Sequence, residues 1–424
     1  MKVLLISHNP ISTFNNMGKT FLNMFSCFTP DELCQLYVRP TTPDIYMCSS
    51  YYRITDKQAL KSVFFGTPGG EVNKGEINRL IEKREEGEMP VPPSPVGIKY
   101  PLLLIRDLVW KCSRWYSKNL KYWIKRENPT CIFLAPGYSS FIYNIALRIA
   151  KDFNLPLYTY ICDDYYFINK PHGIIGRIQF SMRKRATCKI MSKTKELVVI
   201  SEELKSKYSD CFGVSASVIM TGAGVEKIRN PRDISSIKNI SYFGNIGDGR
   251  NNSLADIGRA LDEINAKHHT SIKLNIYSSQ SSSELIEAFL GIKSVNLCGF
   301  VVGDVYNKAF SSSDMLLHTE SFEEEYVDKV KHSVSTKIAD SLASGIPLFA
   351  YGPDCISSMK HLIRHNCAVT ATSKADLQDV LEMALFDIDL LRDVSVNAHS
   401  VSLIHHNNSK NSEALKAITG AQYE

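Results

Sequence analysis

Short apolar and β-branched runs alternate with longer stretches of helical period along the whole chain. In the first half the runs are Val3–Ser7, Val63–Phe65, Cys131–Leu134, Leu157–Ile161, Leu197–Ser201 and Ser217–Met220. In the second they are Ile240–Gly244, Lys273–Tyr277, Val295–Cys298, Met315–His318, Pro347–Ala350 and Ala368–Thr370. Amphipathic stretches such as Ser253–Ala266, Ser282–Leu290, Thr336–Ser344 and Leu377–Phe386 lie between them. Strands of this length separated by helices predict βαβ units and parallel sheets. Twelve such strands crowd a single open sheet, so the pattern predicts two Rossmann-like α/β domains. A boundary is expected near 225–238, where Val225 to Asp233 is polar, contains Pro231 and loses periodicity. The proline-rich stretch 85–97 reads as an exposed loop of the first domain.

A length of 424 residues fits two or three domains, and 44% hydrophobic with 22% charged residues is ordinary globular usage. No apolar run approaches a membrane-spanning length, and the opening run stops at His8-Asn9-Pro10, too early for a signal peptide. A cytoplasmic protein is expected. Its 11 cysteines are scattered without Cys-x-x-Cys, which fits reduced thiols rather than a disulfide framework or a zinc site. Charge is divided unevenly: residues 1–210 hold 30 Lys and Arg against 19 Asp and Glu, and the remainder 19 against 25. A basic half joined to an acidic half points to an anionic partner for the first.

In parallel sheets ligands bind beyond the carboxyl ends of strands, so the strand-to-helix turns carry the candidates. None contains G-x-G-x-x-G, and Gly18-Lys19-Thr20 lacks the first glycine of a phosphate-binding Walker loop. Dehydrogenase and nucleotide-hydrolase chemistry are thereby disfavoured. Three turns stand out. The opening turn, His8 to Thr20, is long and polar; amides around Gly18, with Lys19 alongside, can approach a phosphate at a helix entry. The turn Tyr242 to Asn252 has three glycines for close backbone approach and Arg250 as a fork for phosphate oxygens. The third, His332 to Pro347, starts a helix with Ser335 and Thr336, where free amides and the helix dipole favour an anion. Asp340 follows one turn later, suited to two hydrogen bonds from a ribose diol. Each turn also has a plain structural reading: a loop, a glycine turn, and a capped helix with a weak Lys337–Asp340 pair.

The stretch Ser335 to Pro347 resembles the S-K-x-x-E-x-L-A-x-G-x-P signature of glycosyltransferase family 4, and Tyr242-Phe243-Gly244-Asn245-Ile246 resembles that family's Y-x-G-N-L strand and turn. Gly299-Phe300 and Ser313 to Leu317 fit the spacing between them. The opening turn, Asn15 to Thr20, resembles bacterial cell-surface polysaccharide transferases. The resemblance is specific over 240–350 and looser before it. It implies a GT-B architecture, two Rossmann-like parallel-sheet domains facing a cleft. Residues 1–224 would bind the acceptor, residues 236–395 the nucleotide sugar, and a helix within 396–424 would cross back to the first domain. By the same resemblance Ser335 and Thr336 bind the donor diphosphate, Asp340 the ribose and Arg250 the diphosphate, with Lys337 assisting. Gly18, Gly244 and Asn245 belong to the donor-binding turns. His332 stands where the family has a glutamate toward the donor sugar, and the acidic run Glu320, Glu323, Glu324, Glu325 lies just upstream to substitute. Asp163 and Asp164 follow the Leu157–Ile161 run, where the family positions an acceptor-side residue; one of them is expected to act as a base.

The expected activity is transfer of a sugar from a nucleotide-diphosphate donor to a glycan or polyprenyl-linked glycan acceptor in cell-surface polysaccharide synthesis. It needs no metal and no cofactor, because helix amides, Arg250 and Lys337 neutralise the leaving diphosphate. A nucleotide-sugar epimerase or hydrolase, and a non-catalytic nucleotide-binding subunit, are the alternatives. Within 102–126, Lys111, Arg114, Lys118, Lys121 and Lys125 recur at helical spacing beside all three tryptophans of the chain. This pattern, with Arg183-Lys184-Arg185 downstream, suggests attachment to an anionic membrane surface at the inner face of the cell membrane. No nucleic-acid motif accompanies the charge.

Overall fold

The computed structural model describes residues 1–13, 15–85, 100–168, 171, 173–223, 227–280 and 282–420. Residues 86–97 of the proline-rich stretch and 224–226 of the expected boundary lie outside them. The chain forms two compact units, Met1–Thr221 with Asn408 onward, and Gly222–Asn407.

The strands are β1 Val3–Ser7, β2 Leu33–Tyr37, β3 Ser50–Arg53, β4 Gly70–Glu71, β5 Cys131–Leu134, β6 Leu157–Ile161, β7 Thr194–Val199 and β8 Ala216–Val218 in the first unit. Among the described residues they make an eight-stranded sheet in the order β4-β3-β2-β1-β5-β6-β7-β8, parallel except for the β3–β4 pair. In the second unit β9 Asn239–Phe243, β10 Lys273–Tyr277, β11 Val295–Leu297, β12 Met315–Thr319, β13 Leu348–Tyr351 and β14 Val369–Ala371 make a six-stranded parallel sheet, β11-β10-β9-β12-β13-β14. Strand order reverses between β1 and β5 in one sheet and between β9 and β12 in the other, which are the places where such sheets open a crevice for ligands. Strand residues of β1, β5 and β6 are buried on both faces, as expected for parallel strands covered by helices.

Several expectations are corrected. Val63–Phe65 is not a strand: the helix Asp56–Phe64 runs into it, started by a capping box in which Thr55 accepts from the Gln58 amide and the Gln58 side chain accepts from the Thr55 amide. β2 and β3 fill the gap instead. The segment 102–126 is not one helix but two, Tyr100–Cys112 and Lys118–Glu127, the second capped by Ser117, whose hydroxyl accepts from the Leu120 amide at 3.2 Å. Its lysines therefore do not share one helical face. Trp110 and Trp123 are buried, their indole N–H groups donating to Asp56 Oδ1 at 2.7 Å and Ser50 Oγ at 2.9 Å. These two rings belong to the core.

The polar stretch after residue 226 is part of the second unit. Arg229 and Arg232 donate their amides to the carbonyls of Ala343 and Gly345, each at 2.8 Å. At the other end, the helix Ile388–His405 stays with the second unit, and only Asn408–Gly420 joins the first. There it packs on the helix Asn16–Met24, with Leu415 fully buried and Ser412 accepting from the Cys27 amide.

Gly345 ends the helix Thr336–Ala343 in the left-handed region, at φ +73°, and a Cβ there would collide with the Asn230 carbonyl. Gly345→Ala is expected to destabilise the second unit by at least about 1–2 kcal/mol. A urea unfolding midpoint equal to wild type would contradict this account of the turn.

Candidate active site

The second unit's site forms at its topological reversal. β9 feeds a glycine turn that enters the helix Arg250–His268, and β12, its neighbour in the sheet, ends at His318 and Thr319 just before Glu320. The turn is braced from within. Gln280 Oε1 accepts from the amides of Ile246 and Gly247, both at 2.8 Å, and Asn245 Oδ1 accepts from Gly247 at 2.6 Å. Tyr242 donates its hydroxyl to the Asn245 carbonyl at 2.6 Å. The amides of Ile246 and Gly247 are therefore spent on the turn itself, and the expected close approach of backbone to ligand is taken over by side chains.

Those side chains converge. Arg250 Nη2 donates to Glu320 Oε2 at 2.6 Å, and the carboxylate is buried. Lys337, in the first turn of the helix Thr336–Ala343, is within electrostatic reach of both. A Cβ on Gly244 would collide with the Lys337 ammonium, so a glycine is needed for this lysine to come in. Lys337 keeps contact with solvent, yet the protein around it and the Arg250 charge lower its pKa to about 8, partly offset by Glu320. Burial raises the Glu320 pKa, against the pull of Arg250 and Lys337. His318 Nε2 stands 3.6 Å from Glu320 Oε1, and burial with the Arg250 and Lys337 charges lowers its pKa to about 3, so it is neutral.

Around this charged centre lie an aromatic wall and a helix start. The Phe243 ring stacks on Tyr277 at 4.6 Å and meets Tyr306 edge-on at 5.2 Å. Asp340 is exposed and close enough to Tyr306 that burial and its carboxylate raise the phenol pKa to about 12. Ser335 occupies the N-cap position of Thr336–Ala343, but its hydroxyl makes no capping bond; its amide donates to Ser358 Oγ at 3.0 Å. The helix start thus lacks its own side-chain cap. Among the remaining acids, Glu323 accepts from Asn252 Nδ2 at 2.8 Å, while Glu324 and Glu325 are exposed in the first turn of Glu324–Val330. His332 lies half-buried between that helix and Thr336–Ala343.

Hollows lie both away from these residues and beside them. An open depression of 780 Å³ lined by Lys267, His268, Glu382 and Phe386 sits at the far end of the helix Arg250–His268, where Glu382 pairs with Lys267 at 2.7 Å. A smaller hollow of 200 Å³ abuts Gly249, Asn252 and Ser321.

The first unit has polar groups at its own reversal. His8 follows β1, and burial with Arg106 and Arg39 lowers its pKa well below the usual value. A Cβ at Gly137 would lie 2.9 Å from the His8 ring, so that glycine, after β5, makes room for it. Arg106 donates to Asp56 at 2.8 Å, and its buried Nη2 has no partner among the described residues. After β6 the two aspartates separate. Asp164 is buried, and its Oδ1 accepts from the amides of Tyr166 at 3.0 Å and Phe167 at 2.7 Å, which holds the turn. Asp163 turns toward the hydroxyl of Tyr165, 3.5 Å away. Gly18 gives its amide to the cap residue Asn15 at 2.6 Å, and a Cβ there would lie 2.7 Å from the Ser12 nitrogen. It is a packing glycine with its amide already used, in a different unit from Arg250 and Lys337.

No family model matches the chain, and no curated protein matches it by sequence. Solved structures match it along essentially its whole length. HepE of Anabaena in complex with UDP superposes with a TM-score of 0.63 at 10% identity, covering 99% of this chain and 100% of that one. The sucrose-phosphate synthase of Thermosynechococcus elongatus gives 0.63 at 11%, covering 100% and 99%. WaaG, a glycosyltransferase involved in lipopolysaccharide biosynthesis, gives 0.57 at 13%, covering 99% and 100%. The chain has the GT-B fold. In this GT-B chain the stretch 240–350 that carries the motif resemblance brings Arg250 and Lys337 together on Glu320, with Asp340 beside Tyr306. Glu320, His318, Tyr306 and His8 were not singled out as site residues by the sequence; only the acidic run hinted at the first of them.

If Glu320 holds the Lys337 proton in place, Glu320→Gln is expected to move the lysine pKa below about 8. The pH dependence of Lys337 acetylation, followed by mass spectrometry, measures it. An unchanged or raised midpoint would mean the carboxylate and the amine are not coupled.

Proposed function

We propose that the protein is a glycosyltransferase that takes a sugar from a nucleoside-diphosphate donor bound by the second unit and passes it to a glycan acceptor. The observation that carries the reading is the convergence of Arg250 and Lys337 on one buried carboxylate. The exposed Asp248 lies 3.9 Å from Arg250 but is shared with Lys329, so the centre of the site still sets two cations against one buried anion, beside a helix start without a side-chain cap. A diphosphate supplies the missing negative charge, and the Thr336 amide adds a donor aligned with the helix dipole. The Ser335 amide stays with Ser358, while the Ser335 hydroxyl, which makes no capping bond, remains for an oxygen of the ligand. Asp340 is suited to a ribose diol, and the Phe243–Tyr306 wall to the flat face of a base. HepE, with the same fold, has been crystallised with UDP and with UDP-glucose, which supports a nucleotide-sugar donor here.

The chemistry follows from the charges. As the bond from the anomeric carbon to the diphosphate lengthens, negative charge grows on the leaving oxygens. Arg250 and Lys337 meet it without rearrangement, which lowers the barrier more than the ground state. The reading calls on no metal and no cofactor. On the acceptor side, Asp163 is the carboxylate left to orient or deprotonate a hydroxyl, with neutral His8 following β1, two strands away in the sheet. The acceptor is a lipid-linked glycan of cell-surface polysaccharide synthesis, handled at the inner face of the membrane. Among the described residues no helix is long and apolar enough to cross it.

Titration calorimetry with UDP, GDP and ADP tests the donor site. One nucleotide is expected to bind saturably, and Asp340→Ala to weaken it roughly tenfold, about 1.4 kcal/mol. Absence of binding by all three would overturn the reading, and acceptor-dependent release of the nucleoside diphosphate would extend it to catalysis. The lysine gives a pH signature. Below pH 8 it is already charged, so binding takes up no proton there; above it, binding must restore the proton. Affinity is expected to fall about tenfold per pH unit above pH 8 in wild type, and Lys337→Gln to flatten that slope. A wild-type profile flat to pH 10 would remove Lys337 from the phosphate site.

A further inference from the structure

Two helices of the first unit bury polar side chains beside Trp110, Phe180, Ile190 and Met191, and turn other apolar side chains outward. In Tyr100–Cys112 the buried positions include Asp107, whose Oδ1 accepts from the Phe141 amide at 3.0 Å, and the inward Arg106 pairs with Asp56. The outward stripe is apolar: Leu102, Ile105 and Leu108, all exposed. In Ile174–Met191 the buried positions include Gln179, which donates to the Tyr138 carbonyl at 2.7 Å, and Arg183, fully buried with Nε donating to the Tyr165 carbonyl at 2.9 Å. Its outward stripe begins with Ile174, 77% exposed, Ile175 and Ile178, then turns basic at Arg185 and Lys189. The two helices pack together, and their apolar ends meet: a Cβ on Gly176 would lie 3.6 Å from the Tyr100 ring. A third helix, Asp56–Phe64, packs against Tyr100–Cys112, with the Arg106–Asp56 bridge between them, and has its own exposed apolar residues in Leu60 and Phe64. A soluble helix normally turns such residues inward, and a contiguous exposed set of them marks an interface.

Charge selects the partner. The three helices carry nine Lys and Arg and two Asp. Neither Asp offsets the outward cations, since Asp107 is buried and Asp56 is bridged by Arg106, whereas Lys57, Lys61, Lys111, Arg177, Arg185 and Lys189 are exposed. A second copy of this face would bring like charges together. Apolar side chains set among cations suit a surface that offers acyl chains beneath anionic headgroups. We propose that the three-helix face of the first unit docks on an anionic lipid bilayer, with Ile174, Ile178 and Ile105 inserting and the lysines and arginines lying at headgroup level. The proposal replaces the lysine-and-tryptophan helix expected from sequence, and rests on the lipid-linked acceptor reading only for the choice of membrane as partner.

Flotation of the full chain with vesicles of phosphatidylcholine, alone or mixed with phosphatidylglycerol, tests it. Wild type is expected to float with the anionic vesicles at low salt, and less at high salt. The triple variant Ile105→Ser, Ile174→Ser, Ile178→Ser is expected to lose roughly tenfold or more of that affinity. The variant Arg177→Glu, Arg185→Glu, Lys189→Glu is expected to lose binding to the anionic vesicles specifically. Near-ultraviolet circular dichroism reports whether each variant keeps its fold, and UDP calorimetry on the same samples keeps the two proposals separable. Wild type that stays down with intact UDP binding overturns the docking surface alone. So does an apolar variant that floats like wild type, or one whose only change, by sedimentation velocity, is loss of a dimer.

Discussion

The Arg250–Glu320 ion pair organises the second unit's site. A carboxylate buried at the end of β12 is tolerable only with a cation fixed against it, and the guanidinium from the start of the neighbouring helix supplies it at 2.6 Å. Once that pair is closed, every further positive charge brought near is unmatched. Lys337 is that charge, admitted because Gly244 leaves room for it. Burial is the first cause of the low pKa of the lysine, the neutrality of His318 and the raised pKa of Glu320; the Arg250 charge deepens the first two and opposes the third. The glycine turn is the frame that aims Arg250, and Gln280 closes that frame from the loop after the next strand. In the proposed reading the anion is drawn by a local excess of charge, rather than by backbone amides wrapped round it.

The first unit uses polarity differently. Asp107, Gln179 and Arg183 are buried on helices that also turn apolar side chains outward. Each is held by a bond to backbone, Asp107 to the Phe141 amide, Gln179 to the Tyr138 carbonyl and Arg183 to the Tyr165 carbonyl, while Asp107 Oδ2, Gln179 Oε1 and both Arg183 Nη atoms have no hydrogen-bond partner among the described residues. The bonds that are made fasten the loops after β5 and β6, the second of which presents Asp163.

Where periodicity is strong, the elements are legible from the chain: β1, β5, β6 and β10 begin and end where their apolar runs do. β2 and β3 escape because polar residues interrupt them. Gln35 in β2 is fully buried yet useful, accepting from the Ile11 amide and donating to Ser7 Oγ and the Asn9 carbonyl, and no local rule distinguishes it from a loop glutamine. Val63–Phe65 misleads for the opposite reason: it is apolar and β-branched, but the capping box ahead of it commits the segment to a helix. At the site, Arg250 and Lys337 are readable because each sits in a local signature. Glu320 and His318 are not, because their role arises only when the sheet sets β12 beside β9, and that adjacency is written in topology. The pair Asp163-Asp164 shows the limit of alternation: it says the two side chains diverge, not which one the following turn will capture.

The return of Asn408–Gly420 to the first unit has a consequence for how the protein is made. Leu415 is fully buried in the contact of this helix with Asn16–Met24, a helix made well before it. The second unit, Gly222–Asn407, is continuous and can finish as it emerges. The first must wait, with part of its apolar surface uncovered, until Asn408–Gly420 has been made. Its assembly therefore spans the synthesis of the whole second unit, and a chain stopped within that unit leaves the first one open.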